Sequence, residues 1–497
     1  MGARRDNITG TERAQIAIQV LPPSRPHGLV TQLSQTYSVS RQTIYDIAAT
    51  GKALLESQMQ PGPHGPCPAI VNVLVDRNRL ERSTLVLTES GVSQRDIEVC
   101  LKEMLDTRLS PAWVNAKLSK LEAKATVVNE SWRPTITETL SGDEIYSNGS
   151  PNLLVVGNDS LYIYALTRQP TCDGDTWGCI LLDTPDCPQF SSDGGTGLAA
   201  GVKEAGLKVQ QLDWDHLLRP MWGQATRLES QACAVLQETE ERVDLFDQAH
   251  TSKRLEHHFN AWQKLEVEVS EKVRKHDSFS KIAQQVDQQF ALIDLETGEL
   301  RDPVRGASCL QEIGDQLTQW KGRIYEKLSS NLANWAKALF AYQPLLQQAL
   351  DPLIKQWGAP TIQALSRIWQ IEADQKRHPL PVNQQLARQA LWEKSLDQAV
   401  ALLGIQHLGK AWEAVYKVLG RSWRGSMLAE CINSLLRPVL LGRKSTDQGC
   451  LELFRFLHNV RPFARGKRHH HSPAELAGIQ IQGDPLTLLD LAPKVSI

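Results

Sequence analysis

Phe190-Ser191-Ser192-Asp193-Gly194-Gly195-Thr196-Gly197-Leu198 is the stretch on which the reading of this chain turns. Gln189 to Ser192 reads as a short strand, Gly194-Gly195 as a turn, and Thr196 to Ala205 as a helix. An aspartate at such a junction stands at the C-terminal end of a strand, where open α/β sheets carry their chemistry. Asp-Gly is also an ordinary turn pair, so Asp193 could simply stabilise its own turn. Its neighbours decide between the two.

Upstream, Thr135 to Ser147, Asn152 to Gly157 and Leu161 to Thr167 are rich in β-formers. Asn148-Gly149 and Asn158-Asp159 split them, which predicts consecutive antiparallel strands. The first of these runs contains Gly142-Asp143-Glu144, with Asp143 and Glu144 on opposite faces. Thr176 to Asp183 reads as a short helix and Lys208 to Leu212 as a strand, followed by Asp213-Trp214-Asp215-His216. From Met221 to about Gly420 nearly everything is helical, broken at Asp302-Pro303 and Pro379-Leu380-Pro381. This segment holds most of the tryptophans, which at helical spacing read chiefly as core. A further helix carries Glu430, Asn433 and Arg437 on one face, with Leu428, Ile432, Leu435 and Val439 as the expected apolar stripe.

This order of strands, acids and helices resembles the RNase H-like DDE transposases, especially bacterial insertion-sequence and Mutator-like members with a helical insertion before the last carboxylate. The resemblance covers about residues 135–220 and 425–480. It implies an α+β multidomain chain: N-terminal helix-turn-helix domains and an RNase H-like α/β catalytic domain interrupted by a large all-α insertion. The implied boundaries are a helix-turn-helix domain at 1–60 and a linker with a second helical domain at 61–133. The catalytic domain would occupy 134–219 and 425–480, with the insertion at 220–424 and a tail at 481–497. The resemblance also implies a catalytic and metal-binding triad of Asp143, Asp193 and Glu430. In similar transposases a Cys or Asp and then a His follow the second acid, which makes Asp213 and His216 auxiliary. Glu144 or Asp159 could replace Asp143, Asp213 rivals Asp193, and Glu452 rivals Glu430. His458-Asn459-Val460-Arg461 and Ser472-Pro473-Ala474-Glu475 resemble the usual ending of such domains. By itself the latter is a helix start with Glu475 completing a capping box.

The chemistry expected of such a triad is hydrolysis and transesterification of phosphodiesters. Two Mg²⁺ ions, with Mn²⁺ as substitute, can serve the attacking and leaving oxygens, and hard cations of this kind take carboxylate oxygens. The expected function is therefore a DNA transposase that cleaves element ends and transfers strands. Its partners would be the double-stranded DNA of the element ends and of the target. Synapsis would need at least a homodimer, with helices such as Ala307 to Trp357 supplying contacts. The alternative is a catalytically inactive or domesticated transposase-derived DNA-binding protein, in which one of the three acids should be lost.

DNA contacts are sought in two places. Glu12 to Leu21 is periodic, and Leu29 to Ser34 then leads to Ser40, a candidate N-cap for Arg41 to Ala49. Helix, tight turn and capped helix make a helix-turn-helix, with Arg41, Gln42, Thr43 and Tyr45 at the start of the reading helix. A helical hairpin that merely packs is the plainer reading. Pro61 to Pro66 reads as a linker. Leu85 to Lys124 is helical again, with caps at Ser93 and Ser110 and with Trp113, Asn115 and Lys117 as further candidates. The second place is a basic tract. Arg437, Arg443, Lys444, Arg455, Arg461, Arg465, Lys467 and Arg468 face only Asp447 and Glu452, and His469 to His471 follow. Such a patch draws phosphates by counterion release, though it could also be a solvated surface.

Bulk composition agrees with a globular, multidomain protein: 497 residues, 41% apolar, 22% charged and a net charge of −2. That charge predicts local rather than global electropositivity. No run is long enough to span a membrane, and no apolar segment follows Arg4 and Arg5 as in a signal peptide. The nine cysteines form no Cys-x-x-Cys pair, and Cys172, Cys179 and Cys187 fit no common zinc spacing. The expectation is a reduced bacterial cytoplasmic protein, nucleoid-associated when on DNA.

Overall fold

The computed structural model describes residues 8–22, 26–58, 75–107, 109–377, 382–442 and 446–492, with 55–58 as backbone only. The chain forms two compact units, Met1–Val75 and Asp76–Ile497.

Among the described residues the first unit holds three helices, α1 (Gly10–Val20), α2 (Leu29–Thr36) and α3 (Arg41–Gln58). Each start has a local cause. Thr9 and Glu12 form a capping box on α1, and Ser40 Oγ accepts the Thr43 N–H at 3.1 Å to open α3. Ile16, Val20, Leu33, Ile44 and Ile47 make the core. Gly51 lets α3 touch α1, since a Cβ there would stand 2.5 Å from that of Ala17.

The second unit is mixed α+β around one five-stranded sheet. It opens with α4 (Arg77–Glu89), α5 (Gln94–Leu105) and α6 (Pro111–Ser131), the last two started by Ser93 and by Ser110-Pro111 as expected. The strands are β1 (Leu140–Ser147), β2 (Ser150–Gly157), β3 (Ile163–Arg168), β4 (Phe190–Ser192) and β5 (Gln210–Leu212), with α7 (Gly174–Leu182) and α8 (Thr196–Glu204) between the later ones. They line up as β3-β2-β1-β4-β5. The first three form an antiparallel meander, while β4 and β5 run parallel to β1 and to each other. The meander follows from its two short turns; the parallel pairs need the crossovers that α7 and α8 supply.

Both faces of this sheet are covered. Leu140, Leu153, Val155 and Phe190 pack with Trp177 of α7 and with Leu198 and Val202 of α8. Ile145, Leu154, Val156 and Ile163 pack against Ile432 and Leu436 of α17 (Met427–Leu441) and Leu451 of α18 (Gln448–Val460). That is why β2 reads as an unbroken apolar run: Leu153 to Val156 are all fully buried. A short α19 (Pro473–Leu476) carries the expected Ser472–Glu475 capping box.

Among the described residues between β5 and α17 lie the α-helices α9 (Trp214–Asp247), α10 (Ser252–Gln289), α11 (Pro303–Leu317), α12 (Arg323–Trp335), α13 (Gln343–Trp357), α14 (Ala359–Arg377), α15 (Val382–Leu403) and α16 (Ile405–Leu419). They bury two cores, one around Met221, Phe279, Leu310 and Leu328, the other around Leu292, Leu346, Leu365 and Val415. Gln211 and Trp214 pin the segment to the sheet edge, both donating to the Leu339 carbonyl at 2.9 and 2.7 Å. Among the described residues no helix is long and apolar enough to cross a membrane.

Several expectations are corrected. β1 begins at Leu140 rather than Thr135, because the Thr135 and Ile136 N–H groups are spent on the Ala477 carbonyl. β5 is shorter than Lys208 to Leu212. α9 runs unbroken through residue 220, so no helix boundary marks that point. Helices α4 to α6 do not stand apart, since Leu85, Ile97 and Leu118 share a core with Leu453 and Phe456 of α18. On α17 the buried stripe is Ala429, Ile432, Leu436 and Val439, while Leu435 is 55% exposed. Two adjacent leucines fit either face by pattern, and packing chose one. The Pro61–Pro66 linker and the Pro379-Leu380-Pro381 break lie outside the described residues.

Two glycines predict opposite responses to alanine. A Cβ at Gly197 would overlap the Cys172 carbonyl oxygen, so Gly197→Ala should lower unfolding stability by about 1–3 kcal/mol. Gly409, exposed inside α16, has nothing within 4 Å of an added Cβ, so Gly409→Ala should gain roughly 0.5–1 kcal/mol. Urea denaturation of both variants measures the difference.

Candidate active site

Parallel pairing of β1 with β4 matches Leu140 with Phe190 and Ser141 with Ser191. Two residues further along that register, Asp143 stands beside Asp193, just past the end of β4. Gly194 makes the turn with φ of +82°, a conformation that glycine adopts freely. The Gly195 N–H donates to Asp193 Oδ1 at 2.8 Å, and Trp335 of α12 closes over the turn, 3.0 Å from where a Gly194 Cβ would be.

Helix α17 brings the third acid. Asn433 Nδ2 donates to Asp143 Oδ2 at 2.8 Å, linking positions 290 residues apart. Glu430 lies one turn earlier on the same face of α17. Its carboxylate is 3.6 Å from Arg219, which is also ion-paired with Asp215. The start of α17 is held by Asp213. That buried carboxylate accepts the Ser426 N–H and hydroxyl, each at 2.8 Å, and the Asp215 N–H at 2.7 Å. His216 Nδ1 lies 3.2 Å from Asp213 Oδ2 without hydrogen-bond alignment.

Charge accounts for the pKa pattern. Burial, then the neighbouring Asp193 and Glu430 carboxylates, push Asp143 up to about 6 against the help of the Glu144 N–H and Asn433. Glu144, on the opposite face of β1, is pushed up to about 7 by burial and by Asp193 and Asp143. Its Oε1 and Asp193 Oδ1 flank Gly195, at 3.8 and 3.1 Å from an added Cβ. Asp213 behaves oppositely: burial disfavours its ionisation, but His216 and Ser426 outweigh that and hold it below the ordinary carboxylate range. Asp213 in turn raises His216, with Asp193 and Glu430 adding to the effect.

Asp193 and Glu430 thus lie within electrostatic reach of Asp143, and Asp193 and Asp143 within reach of Glu144. The sequence had offered Glu144 only as a substitute; its adjacency to Asp143 was legible, its reach round to the Asp193 turn was not. Asp159 is not part of the group. It lies beyond the other end of β1, with its carboxylate 3.4 Å from Arg421. Glu452 is buried and occupied by Asn129 at 2.7 Å and Gln448 at 2.9 Å. Arg219 was missed altogether, since a single arginine early in a long helix carries no pattern.

The donors are all carboxylate or amide oxygens, the set a hard divalent cation takes. Buried Glu144 Oε2 and Asn433 Oδ1 have no hydrogen-bond partner, which leaves them available to one. The donor chemistry fits. As the side chains stand, however, no three His, Cys, Asp or Glu among the described residues are placed to hold a metal ion together. Arg219, drawing on Glu430, occupies the position of countercharge.

The expected DNA contacts divide. Arg41, Gln42 and Tyr45 are exposed at the start of α3, with Gln42 donating to Asp46 at 3.0 Å, and Thr43 is taken up by the Ser40 cap. Arg437, Arg465 and Lys467 are exposed. Arg468 is corrected: its guanidinium donates to the Asp159 and Asn158 carbonyls at 2.6 and 2.8 Å. Arg455 likewise serves the Ile163 and Tyr164 carbonyls, and Arg461 pairs with Glu89 at 2.8 Å. Arg443 and Lys444 lie outside the described residues. On α6, Lys117 pairs with Glu81, exposed Asn115 accepts from Gln94, and Trp113 packs on the core.

No protein-family model matches this chain, and no curated protein matches its sequence.

A folded-state pKa of about 7 for Glu144, against an ordinary 4.5, fixes a sign. Between those values the folded state holds the proton that the unfolded state has released, so stability falls as pH rises. Glu144→Gln lacks this loss. Its melting temperature, measured without divalent cations, should match wild type near pH 4 and exceed it at pH 8. Mn²⁺ or Mg²⁺ should raise the wild-type melting temperature at pH 8, and Asp143→Asn or Asp193→Asn should remove that rise.

Proposed function

We propose that this chain is a DNA transposase which cleaves element ends and joins them to target DNA at a centre built from Asp143, Asp193 and Glu430. The observation that carries the reading is proximity: at the C-terminal ends of the central strands, Asp143 of β1 lies close enough to Asp193 past β4 and to Glu430 of α17 to feel the charge of both. The strand order β3-β2-β1-β4-β5, antiparallel then parallel, is the RNase H-like arrangement, and the all-helical segment enters after β5 and returns at α17 as an insertion would. Both features support the resemblance read from the sequence.

Asp143, Asp193 and Glu430 would hold Mg²⁺, or Mn²⁺ in its place, with Glu144 and Asn433 beside them. When bound, such ions stabilise charge on the attacking and leaving oxygens of an in-line displacement at phosphorus. The chain's own residues prepare this. Asn433 orients Asp143, the Gly195 N–H orients Asp193, and Asp213 fixes the start of α17 and with it the depth of Glu430. In cleavage a water oxygen bonds to phosphorus and the element's 3′-oxygen leaves, taking a proton to become a hydroxyl. In strand transfer that 3′-hydroxyl attacks a target phosphodiester and the target's own 3′-oxygen leaves protonated. His216, near Asp193 and Glu430 and raised in pKa, can donate or hold a proton at this edge. Exposed Arg41, Gln42 and Tyr45 would read duplex DNA, and exposed Arg437, Arg465 and Lys467 would contact its phosphates.

The test is incubation of the purified protein with DNA from both flanks of its own gene in Mg²⁺ or Mn²⁺. Site-specific cutting or strand transfer is expected of the wild type, and Asp193→Ala or Glu430→Ala should lower it by more than about 100-fold. Specific binding without cutting would favour a silenced, transposase-derived binding protein. Cutting that survives both substitutions would remove these acids from the mechanism.

A further inference from the structure

Building on the carboxylate centre proposed above, we propose that Arg219 is a phosphate-contacting residue held in reserve. It neutralises Glu430 until a divalent cation takes that carboxylate, and then serves a DNA phosphate. The three acids of the centre are not held alike. Asp143 accepts from Asn433 and Asp193 from the Gly195 N–H, both neutral donors. Among the described residues, only Glu430 of the three is ion-paired, with Arg219 Nη2 3.6 Å from its Oε2. No three acids among those residues hold a metal ion together as the side chains stand, so a cation that takes all three must draw Glu430 away from Arg219. That exchange is easy. Arg219 is 62% exposed and Glu430 37%, and a solvated pair of this kind is weak, whereas carboxylate oxygens are what hard divalent cations bind.

Release leaves Arg219 in place. Its Nη2 also pairs with Asp215, one turn back on α9, which keeps the guanidinium at the acid-lined edge. Its Nε and Nη1 have no acceptor among the described residues. A planar fork with donors to spare matches the two non-bridging oxygens of a phosphodiester, where a lysine would offer a point charge. A phosphate needs that charge here. Asp143, Glu144, Asp193, Asp215 and Glu430 surround the approach, with Arg219 and His216 as the nearby cations. While Arg219 serves two acids the edge repels DNA; with Glu430 on a cation, one of those acids is gone and the guanidinium can turn to the phosphate.

The test uses the full chain and reads binding rather than turnover. In calorimetric titration with Mn²⁺, without DNA, Arg219→Gln should bind the ion about two- to five-fold more tightly than wild type, because the competitor is gone. With DNA the sign reverses. Fluorescence anisotropy of a duplex oligonucleotide of random sequence should show Arg219→Gln binding about tenfold more weakly than wild type in Ca²⁺, yet nearly as well as wild type in EDTA, where Arg219 stays with Glu430. Equal losses in Ca²⁺ and EDTA would make Arg219 an ordinary surface cation, and an unchanged Mn²⁺ affinity would show that it does not compete for Glu430. Either result overturns the proposal and leaves the carboxylate centre standing. A wild type that binds no Mn²⁺ would remove the centre as well.

Discussion

The buried carboxylate of Asp213 is the tie on which the second unit depends. It accepts from Ser426, 213 positions away, and so closes the long helical excursion back onto the sheet where it began. The same carboxylate caps α9, so one group sets both the exit and the return of the chain. Closing so long a segment adds little entropy cost beyond that of a short one, so these few bonds can hold its ends together. Arg424 reinforces the return, its guanidinium 3.6 Å over the Phe290 ring, and Gln189 donates to the Trp423 carbonyl at 2.6 Å. These ties add to the packing of Ile432 and Leu436 on the sheet and to the Asn433–Asp143 hydrogen bond in setting where Glu430 stands relative to Asp143.

At the sheet edge the balance is reversed. Asp143, Glu144, Asp193 and Glu430 act on one another with Arg219 and His216 as nearby positive charge, and burial followed by the neighbouring carboxylates raises the pKa of Asp143 and Glu144. Groups crowded against their own solvation preference are a recurrent mark of functional sites. The structural acids of this fold differ in kind: Asp213, Glu138 and Glu452 are each surrounded by donors. Arg219 belongs to neither class. Held between Asp215 and Glu430 and largely solvated, it is a countercharge that a competing cation can displace at little loss.

Much of the basic tract turned out to hold the molecule together. Arg455 and Arg468 sit on backbone carbonyls at the β2–β3 turn and β3, closing polar groups that the sheet leaves over. Their charge was plain in the sequence, but a guanidinium that satisfies a buried carbonyl and one that waits for a phosphate look alike there. Lys117 and Asn115 on α6 teach the same lesson, since the partners Glu81 and Gln94 come from other helices.

What the sequence by itself determined was whatever depends on near neighbours. Ser40, Ser93, Ser110 and Ser472 start their helices because a cap needs a hydroxyl only three residues away. Asn148-Gly149 turns the meander for the same reason, and the Asp193-Gly194-Gly195 junction was legible as strand, turn and helix. Tertiary structure alone decided which neighbouring residue of a pair faces inward, as Leu436 does in place of Leu435. It alone set the register that puts Asp143 beside Asp193, brought Glu144 to the same turn and drew Glu430 to Arg219. Those outcomes join positions tens to hundreds of residues apart, where the energy lies in packing and charge between elements, and no local pattern encodes the partner.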